Sequence, residues 1–266
     1  MKILITGGAG FIGSNYTHFR TEQHAEDEIF VLDKLTYAGN LDNLSDLLGH
    51  VNFHFVQGDI ADKAFVEALF EKEKFDIVAN FAAETHVDRS ITGPGIFVMT
   101  NIVGTYNVLD AARVNNVKRY HQISTDEVYG EIKRGQFTEA SPIQPNSPYS
   151  AAKAASDLLV RAYIRTYGLP AVIARPCNNY GPWQFPEKLM PVITLNALNN
   201  KKTIFIDNRD YDRFAKLLYL CNSTKPINFR TDIIERKVDA WTYNRETLLT
   251  SICAWVLMPN HFHLYV

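Results

Sequence analysis

The stretch Gly7-Gly8-Ala9-Gly10-Phe11-Ile12-Gly13 follows a short apolar run at residues 2–6 and precedes a segment with helical spacing. Its three spaced glycines suit a tight strand-to-helix turn that a phosphate can approach closely. The N–H groups and the positive end of the helix would then face a pyrophosphate. Asp33 stands twenty residues past Gly13, at the end of the second apolar run. Together these features predict a dinucleotide-binding turn.

Asp33 also indicates which dinucleotide the turn would hold. Its carboxylate can accept hydrogen bonds from ribose hydroxyls and would repel a 2′-phosphate, so NAD is favoured over NADP. Asp59 follows the third apolar run and is placed to meet the adenine. A turn residue that caps the next helix explains Asp59 almost as well.

The rest of the chain up to residue 198 alternates short β-rich runs with longer helix-patterned segments, which predicts a doubly wound parallel (Rossmann) α/β sheet with helices on both faces. Strands are expected at 2–6, 29–33, 51–57, 77–82, 120–124 and 171–175, and helices at 11–20, 63–72, 96–114 and 148–167. The rhythm changes afterwards, with candidate strands at 203–206 and 251–258 and a helix at 209–221. We therefore expect an NAD-binding domain over 1–198 and a short unrelated α+β tail over 199–266.

Composition excludes several classes of protein. The 266 residues include 27 basic and 29 acidic side chains, for a net charge of −2, so no whole-chain field favours nucleic acid or membrane. The cysteines Cys177, Cys221 and Cys253 are far apart, which argues against a disulfide framework and a cysteine-rich zinc site. No leader peptide or bilayer-spanning run is recognisable, so a cytoplasmic protein is expected.

Tyr149 and Lys153 lie four residues apart on a predicted helix, hence on one face. An ammonium beside a phenol favours the phenolate, so we expect Lys153 to lower the pKa of Tyr149. In isolation such a pair is more often a surface feature of a helix. Its position after the fifth strand of a dinucleotide fold favours a catalytic role for both residues.

Thr125, Asp126 and Glu127 directly follow the fifth predicted strand, at the carboxyl edge where ligands of open α/β sheets bind. Two adjacent carboxyls in a partly enclosed site do not easily both ionise, so one could act as acid and the other as base. A solvated loop pair or a helix cap is the alternative. With a dinucleotide and the Tyr149 phenol, the pair indicates oxidation coupled to elimination.

At these residues the chain, from 1 to about 197, resembles the extended short-chain dehydrogenase/reductases and, among them, the dTDP-glucose 4,6-dehydratases. Related epimerases usually have small or hydroxyl residues in place of Asp126 and Glu127. The motifs that carry the resemblance are 6–13, 33–40, 82–90, 125–127, Tyr149 with Lys153, 178–182 and 186–189.

The resemblance implies a redox-neutral reaction on a nucleotide sugar. Tyr149 would remove the O4 proton while NAD takes the C4 hydride, with Thr125 bonding near O4. Glu127 would abstract the acidified C5 proton, Asp126 would protonate the departing C6 hydroxyl, and the hydride would return to C6. The product would be a 4-keto-6-deoxy sugar.

The resemblance also implies the binding residues, and it implies no metal. Relatives pair through helices matching 96–114 and 148–167, so a homodimer is expected. His86 and His121 are interpreted as structural histidines whose hydrogen bonds are satisfied. Substrate would meet Thr85, Asn178, Lys188 and Leu189. NAD would meet Gly7, Gly10, Phe11, Ile12, Gly13, Asp33, Lys34, Leu35, Thr36, Asp59, Ile60, Phe81, Ala82, Ala83, Glu84, Thr100, Tyr149, Lys153 and Asn179.

The tail has a different resemblance. Residues 202–214 and 254–263 resemble the N-terminal part of an IS200-like, REP-associated tyrosine transposase, in which His261 and His263 would be metal ligands. No tyrosine-bearing helix follows, so transposition is not expected. We expect a junction near 197–202, loss of the nucleotide-anchoring part and slow turnover. The alternatives are another nucleotide-sugar dehydratase or epimerase, or an inactive fusion with a DNA-binding tail.

Overall fold

The computed structural model of the chain describes residues 1–132 and 135–187, positions 191 and 195, and the strands at 254–257 and 262–265. The chain divides into two compact units. The first comprises Met1–Glu131 and Phe137–Gln184, and the second comprises Ile132–Gln136 and Phe185–Val266. The expected domain boundary at 198 lies outside the described residues.

Six parallel strands form the sheet of the first unit, in the order β3-β2-β1-β4-β5-β6. The order reverses between β1 and β4, and such a switch point creates a crevice at the carboxyl ends of the strands. The predicted Rossmann arrangement is confirmed. The strands are β1 Lys2–Thr6, β2 Glu28–Asp33, β3 Phe53–Gln57, β4 Ile77–Asn80, β5 Arg119–Ile123 and β6 Ala171–Ala174.

Helices connect the strands. They are α1 Phe11–Gln23, α2 Lys63–Glu73, α3 Val87–Thr92, α4 Pro94–Phe97, α5 Thr105–Val114 and α6 Pro148–Tyr167. The sequence predicted one regular helix over 96–114, and this detail is wrong. A π-helical segment, Val98–Gly104, lies between α4 and α5, and such segments are frequent at functional sites.

Apolar side chains cover the sheet on both faces, as a doubly wound fold requires. One cluster includes Val66 and Phe70 from α2, Leu109 from α5 and Val160 from α6. A second cluster includes Ile5 and Val31 from the central strands. The crossover helices are therefore fixed against the sheet by burial, at roughly 1.5–3 kcal/mol for each large aliphatic side chain.

Local sequence sets both ends of α6, the longest helix among the described residues. Ser147 is the N-cap and forms a reciprocal capping box with Ser150, and Pro148 occupies the first turn. Gly168 ends the helix with a φ of +68°, which glycine adopts without steric cost. Tyr149 therefore lies in the first turn of α6, at the end next to the carboxyl edge of the sheet.

Within the second unit, strands β7 Ala254–Leu257 and β8 Phe262–Tyr265 pair in antiparallel register, with Val256 opposite His263. A strand was expected at 251–258. The elements predicted at 203–206 and 209–221, together with His261, lie outside the described residues. Among the helices that the structure describes, none has the length and apolar character needed to cross a bilayer.

Candidate active site

The glycine-rich turn joins β1 to α1 and has no room for side chains at two positions. Gly7 has a φ of +68°, and an added Cβ would lie 2.6 Å from the backbone nitrogen of Ala82. At Gly13 an added Cβ would overlap the carbonyl oxygen of Gly7. Only glycine fits these positions, because the turn backbone packs against the exit of β4 on one side and against α1 on the other.

The first turn of α1 leaves backbone N–H groups available. Its N-cap is Gly10, so no side chain caps the first turn, and the first turn holds no acidic residue. The first N–H groups of a helix lack intrahelical acceptors, and the helix dipole makes this end attractive to anions. Of the predicted contact residues here, Phe11 is half-buried and Ile12 is exposed. The turn therefore fits a diphosphate group.

Asp33 is the last residue of β2 and is buried. Its Oδ2 accepts a hydrogen bond from the Ala9 N–H at 3.0 Å, and its Oδ1 accepts one from the Leu35 N–H at 2.8 Å. Burial raises the pKa of Asp33, and these backbone hydrogen bonds oppose the rise. Each carboxylate oxygen can accept a further hydrogen bond, so ribose hydroxyls can also donate to Asp33.

Asp59 has two partners. Its Oδ1 accepts a hydrogen bond from the Ala61 N–H at 2.8 Å, and its Oδ2 lies 2.6 Å from the Lys34 ammonium. Asp59 therefore stabilises a turn, as the alternative expected, but it does not cap the next helix: the N-cap of α2 is Asp62, whose side chain accepts a hydrogen bond from the Phe65 N–H. Ile60 is only 4% exposed, so its side chain is part of the core, whereas Lys34 and Thr36 are exposed.

The segment after β4 carries the predicted residues Phe81 to Thr85, and Asn101 holds it in place. Asn101 Oδ1 accepts a hydrogen bond from the Glu84 N–H at 2.8 Å, and its Nδ2 donates to the Glu84 carbonyl at 3.0 Å. The Ser156 hydroxyl on α6 donates in turn to the Asn101 carbonyl. Sequence analysis missed Asn101, because a regular helix pattern does not reveal the π-helix that carries it and Thr100.

Asp126 and Glu127 begin a four-residue 3₁₀ helix, Asp126–Tyr129, which we call the acid/base turn. The Oγ1 of Thr125 accepts a hydrogen bond from the Glu127 N–H at 3.3 Å. Thr125 is therefore the N-cap of this helix. Asp126 is half-buried and Glu127 is exposed.

Tyr149 lies beside this turn. The charges of Glu127 and Asp126 both act on its phenol, as do the side chains of Thr85 and Thr125. The structure therefore brings together the tyrosine, both carboxyls and two predicted sugar-contacting threonines. The edge of the Phe97 ring faces Tyr149, with 6.2 Å between the ring centroids.

The expected lowering of the tyrosine pKa is wrong for this state of the protein. Burial is the largest cause, and together with the charge of Glu127 it raises the pKa of Tyr149 to about 12. Lys153 does not offset this, because its ammonium donates a hydrogen bond to the Ile123 carbonyl at 2.6 Å. Burial lowers the pKa of Lys153 itself to about 8, against the opposing charge of Asp157.

Lys153 gives a testable pH dependence of folding stability. Its pKa is about 8 in the folded protein and 10.5 when exposed, so in that interval the unfolded chain binds more protons and the free energy of unfolding rises with pH. The full shift corresponds to on the order of 3 kcal/mol. The rise ends near pH 10. Above that pH ordinary tyrosines ionise in the unfolded chain, whereas Tyr149, with its raised pKa, stays protonated in the folded protein, so the free energy of unfolding then falls as pH increases.

We expect Lys153→Met to remove this rise in urea-unfolding measurements between about pH 8 and pH 10. Lys63→Met is the matched control, since Lys63 is exposed on α2, and it should keep the rise. If the free energy of unfolding rises equally with pH in Lys153→Met and in the unmodified chain, the lowered pKa of Lys153 is contradicted.

The segment after β6 lies along α1. Trp183 stacks on His18 at 4.3 Å, and the Pro182 carbonyl accepts a hydrogen bond from Asn15 Nδ2 at 3.0 Å. The predicted residues Asn178 and Asn179 of this segment are exposed. The predicted substrate residues Lys188 and Leu189 lie outside the described residues.

Three buried polar atoms lack a hydrogen-bond partner within the described part of the chain. They are Nδ1 of His86, Oγ of Ser124 and Oδ1 of Asp157. His86 also has a φ of +82°, which is unusual for a residue with a side chain. The interpretation of His86 as a histidine whose ring nitrogens form hydrogen bonds is therefore wrong for Nδ1. Burial lowers the pKa of the half-buried His121.

Comparison with known proteins assigns the family. A family model described as GDP-mannose 4,6 dehydratase matches residues 4–214. The chain belongs to this family. Among dehydratase-family relatives, the low-salt glycan biosynthesis protein Agl12 of Haloferax volcanii is 52% identical over 201 residues, covering 76% of this chain and 64% of the relative. The dTDP-glucose 4,6-dehydratase of Salmonella typhimurium is 50% identical over 220 residues, covering 76% and 61%.

A solved structure agrees with these relatives. The crystal structure of DesIV, a dTDP-glucose 4,6-dehydratase from Streptomyces venezuelae with NAD and TYD bound, has a TM-score of 0.72 and 48% identity, covering 76% of this chain and 63% of that one. The chain thus spans about three fifths of the length of these relatives.

The comparisons also bear on the tail. The family match continues to residue 214, past the junction expected near 197–202. Residues 202–214, which were likened to a transposase, thus align with the dehydratase family. The transposase-like interpretation of 199–266 receives no support from the comparisons.

Proposed function

We propose that this chain has the site chemistry of a dTDP-glucose 4,6-dehydratase and uses NAD. The observation that carries the proposal is the grouping of Tyr149 with Asp126 and Glu127, in a Rossmann unit about half identical to proteins named for this activity. Plain alcohol oxidation needs no such acid/base pair. Dehydration needs one.

The residues present fit NAD. The side-chain-free turn at Gly7 and Gly13 and the uncapped first turn of α1 suit a diphosphate. The Asp33 carboxylate suits unmodified ribose hydroxyls and disfavours a 2′-phosphate. Two relatives' crystal structures are described as containing NAD, which supports the same assignment.

Gly13→Ala is expected to abolish NAD binding, because the added Cβ overlaps the Gly7 carbonyl and must displace the turn. Gly95→Ala is the matched control, since an added Cβ there meets nothing within 4 Å. Calorimetric titration with NAD should show binding to the control and to the unmodified chain only. Equal NAD affinity in Gly13→Ala would contradict the role of the turn. Circular dichroism would verify that both variants fold.

The proposed mechanism assigns the proton transfers to three groups, Tyr149, Glu127 and Asp126. When bound, NAD supplies the hydride acceptor and later returns the hydride. Tyr149 removes the O4 proton of the sugar, and the resulting C4 ketone acidifies the C5 proton. Glu127 takes the C5 proton, and Asp126 gives a proton to the C6 hydroxyl, which leaves as water. Glu127 then returns a proton to C5 when the hydride returns to C6.

Lys153 and Thr125 assist this sequence. With a pKa of about 8, Lys153 is mainly charged at neutral pH. In the ligand-free protein its ammonium donates a hydrogen bond to the Ile123 carbonyl at the end of β5, so its proposed role is to position α6 rather than to lower the pKa of Tyr149. Thr125 contributes a hydroxyl beside the phenol. We also propose that Thr85, Asn178, Lys188 and Leu189 contact the substrate.

The proposal is tested by incubating the chain with NAD and dTDP-glucose and identifying the product by NMR. We expect dTDP-4-keto-6-deoxyglucose. A 4-epimeric sugar would support the epimerase alternative, and the absence of any product would contradict the assignment. Parallel reactions with the UDP and GDP sugars would establish which nucleotide is accepted.

We further propose a cytoplasmic homodimer. Large apolar side chains are exposed on the helical segments that the resemblance implies would pair, for example Met99 at 47%, Tyr106 at 36% and Leu158 at 52%. A pair of copies would cover them. Sedimentation should give twice the 30.2 kDa mass of one chain. The free, exposed thiol of Cys177 suits a reducing compartment.

A further inference from the structure

Arg175 contacts two segments at once. Its Nε donates a hydrogen bond to Oδ2 of Asp157 at 2.7 Å, and its Nη1 donates to the phenol oxygen of Tyr129 at 2.8 Å. Its guanidinium also lies over the Tyr129 ring, 5.2 Å from the centroid. Asp157 is fully buried and Tyr129 is 7% exposed, so water competes little for these contacts.

The two partners come from the segments that carry the proposed chemistry. Asp157 lies on α6, one turn after Lys153 and two turns after Tyr149, on the same face of the helix. Tyr129 is the last residue of the acid/base turn. Arg175 is the first residue after β6. A single side chain therefore links the helix bearing the phenol to the turn bearing the two carboxyls.

The acid/base turn depends on outside contacts to keep its place, because four residues of 3₁₀ helix form few hydrogen bonds of their own. Its backbone is attached by the Asp126 N–H to the Pro176 carbonyl at 3.2 Å and by the Gln144 N–H to the Val128 carbonyl at 3.0 Å. The Tyr129 ring also stacks on Phe137, with 5.2 Å between centroids. Ala154 of α6 packs in one buried cluster with Val128 and Tyr129 of the turn, and Arg175 adds a polar link between the same two segments.

We propose that Arg175 is a positioning residue that joins Asp157 of α6 to Tyr129 of the acid/base turn, and so sets the distance between the Tyr149 phenol and the carboxyls of Asp126 and Glu127. The inference rests on the proposed dehydration, which needs both segments in one reaction. Hydride removal from C4 uses the Tyr149 phenol of α6 and neither carboxyl of the turn. Elimination also requires the turn, so loss of the link slows elimination specifically.

Tyr129→Phe is the sharpest variant, because it removes one acceptor oxygen and keeps the ring that packs on Phe137. Removal of Arg175 or Asp157 would instead leave a buried charge unpaired and could unfold the protein. Tyr163→Phe is the matched control: it also removes a phenol oxygen from a buried tyrosine, one that donates to Asp110 on α5 at 3.2 Å.

Two measurements test the proposal. In single-turnover reactions with dTDP-glucose, Tyr129→Phe should slow elimination by roughly 10- to 100-fold with unchanged oxidation, so the near-ultraviolet absorbance of reduced nicotinamide accumulates. In the ligand-free protein, hydrogen exchange should become faster at the amides of residues 126–130 and stay unchanged along α6. Tyr163→Phe should show neither change.

The outcomes separate this inference from the proposed function. If the unmodified chain forms no keto sugar, the proposed function fails, and hydrogen exchange alone decides whether Arg175 positions the turn. If the chain is active, both changes are required. Unchanged exchange at residues 126–130, a uniform rise that includes α6, or equal slowing of oxidation and elimination would each overturn the inference.

Discussion

Replacement of Tyr149 by phenylalanine is expected to lower the rate of keto-sugar formation by about 10²- to 10⁴-fold, the usual contribution of a positioned acid or base. The variant lacks the group that we propose removes the O4 proton, so oxidation and every later step should slow. The rate of product formation under saturating NAD and dTDP-glucose is the quantity to measure. Binding of NAD, followed by calorimetry, should weaken far less than the rate falls, because the ring of residue 149 and the other predicted NAD contacts remain.

Tyr163→Phe is the control for this prediction, because it deletes the same atom from a tyrosine on the same helix, far from the sheet edge. Its rate should stay within a few-fold of the unmodified chain. The pH profile gives a further check. The pKa of Tyr149 is about 12 without ligands, so the rate should rise with pH as the phenolate population grows. Turnover by Tyr149→Phe at the unmodified rate would remove Tyr149 from the mechanism.

Replacement of Glu127 by glutamine is expected to stop the reaction after oxidation. The amide cannot take the C5 proton, whereas Tyr149 can still support hydride removal from C4, so product formation should fall by about 10²- to 10⁴-fold. Reduced nicotinamide should then persist, which stopped-flow absorbance would detect. Because Glu127 is exposed, replacing its carboxylate with an amide should change the folding stability little.

Glu131→Gln is the matched control, since Glu131 is an exposed glutamate just beyond the acid/base turn. It should turn over normally and accumulate no reduced nicotinamide. If Glu127→Gln forms the keto sugar as fast as this control, the base must be another group. Loss of oxidation as well as elimination would show that Glu127 acts earlier than proposed.

The fold could be predicted from the sequence because its signals are local. Ser147, Pro148 and Gly168 set the ends of α6 at the predicted residues, and β1 begins and ends as expected. The spaced glycines of the turn between β1 and α1 could also be identified, because their spacing is a local pattern in the sequence. Strand ends differed by one or two residues, since pairing with neighbouring strands decides where a ladder stops.

The electrostatics of the site could not be predicted in the same way. A four-residue spacing places Tyr149 and Lys153 on one face of α6, but it does not reveal that the Ile123 carbonyl takes the ammonium. Burial then outweighs the expected effect of the lysine on the tyrosine pKa. The roles of Asn101 and Arg175 depend on contacts between segments distant in sequence, which no local pattern reports.

The path of the C4 hydrogen tests the central proposal most directly. The chain would be incubated with NAD and dTDP-glucose carrying deuterium at C4, and the product examined by NMR. The proposed redox-neutral dehydration predicts a 4-keto-6-deoxy sugar with deuterium at C6. A sugar that keeps deuterium at C4 with inverted configuration, or a keto sugar without deuterium at C6, would contradict it.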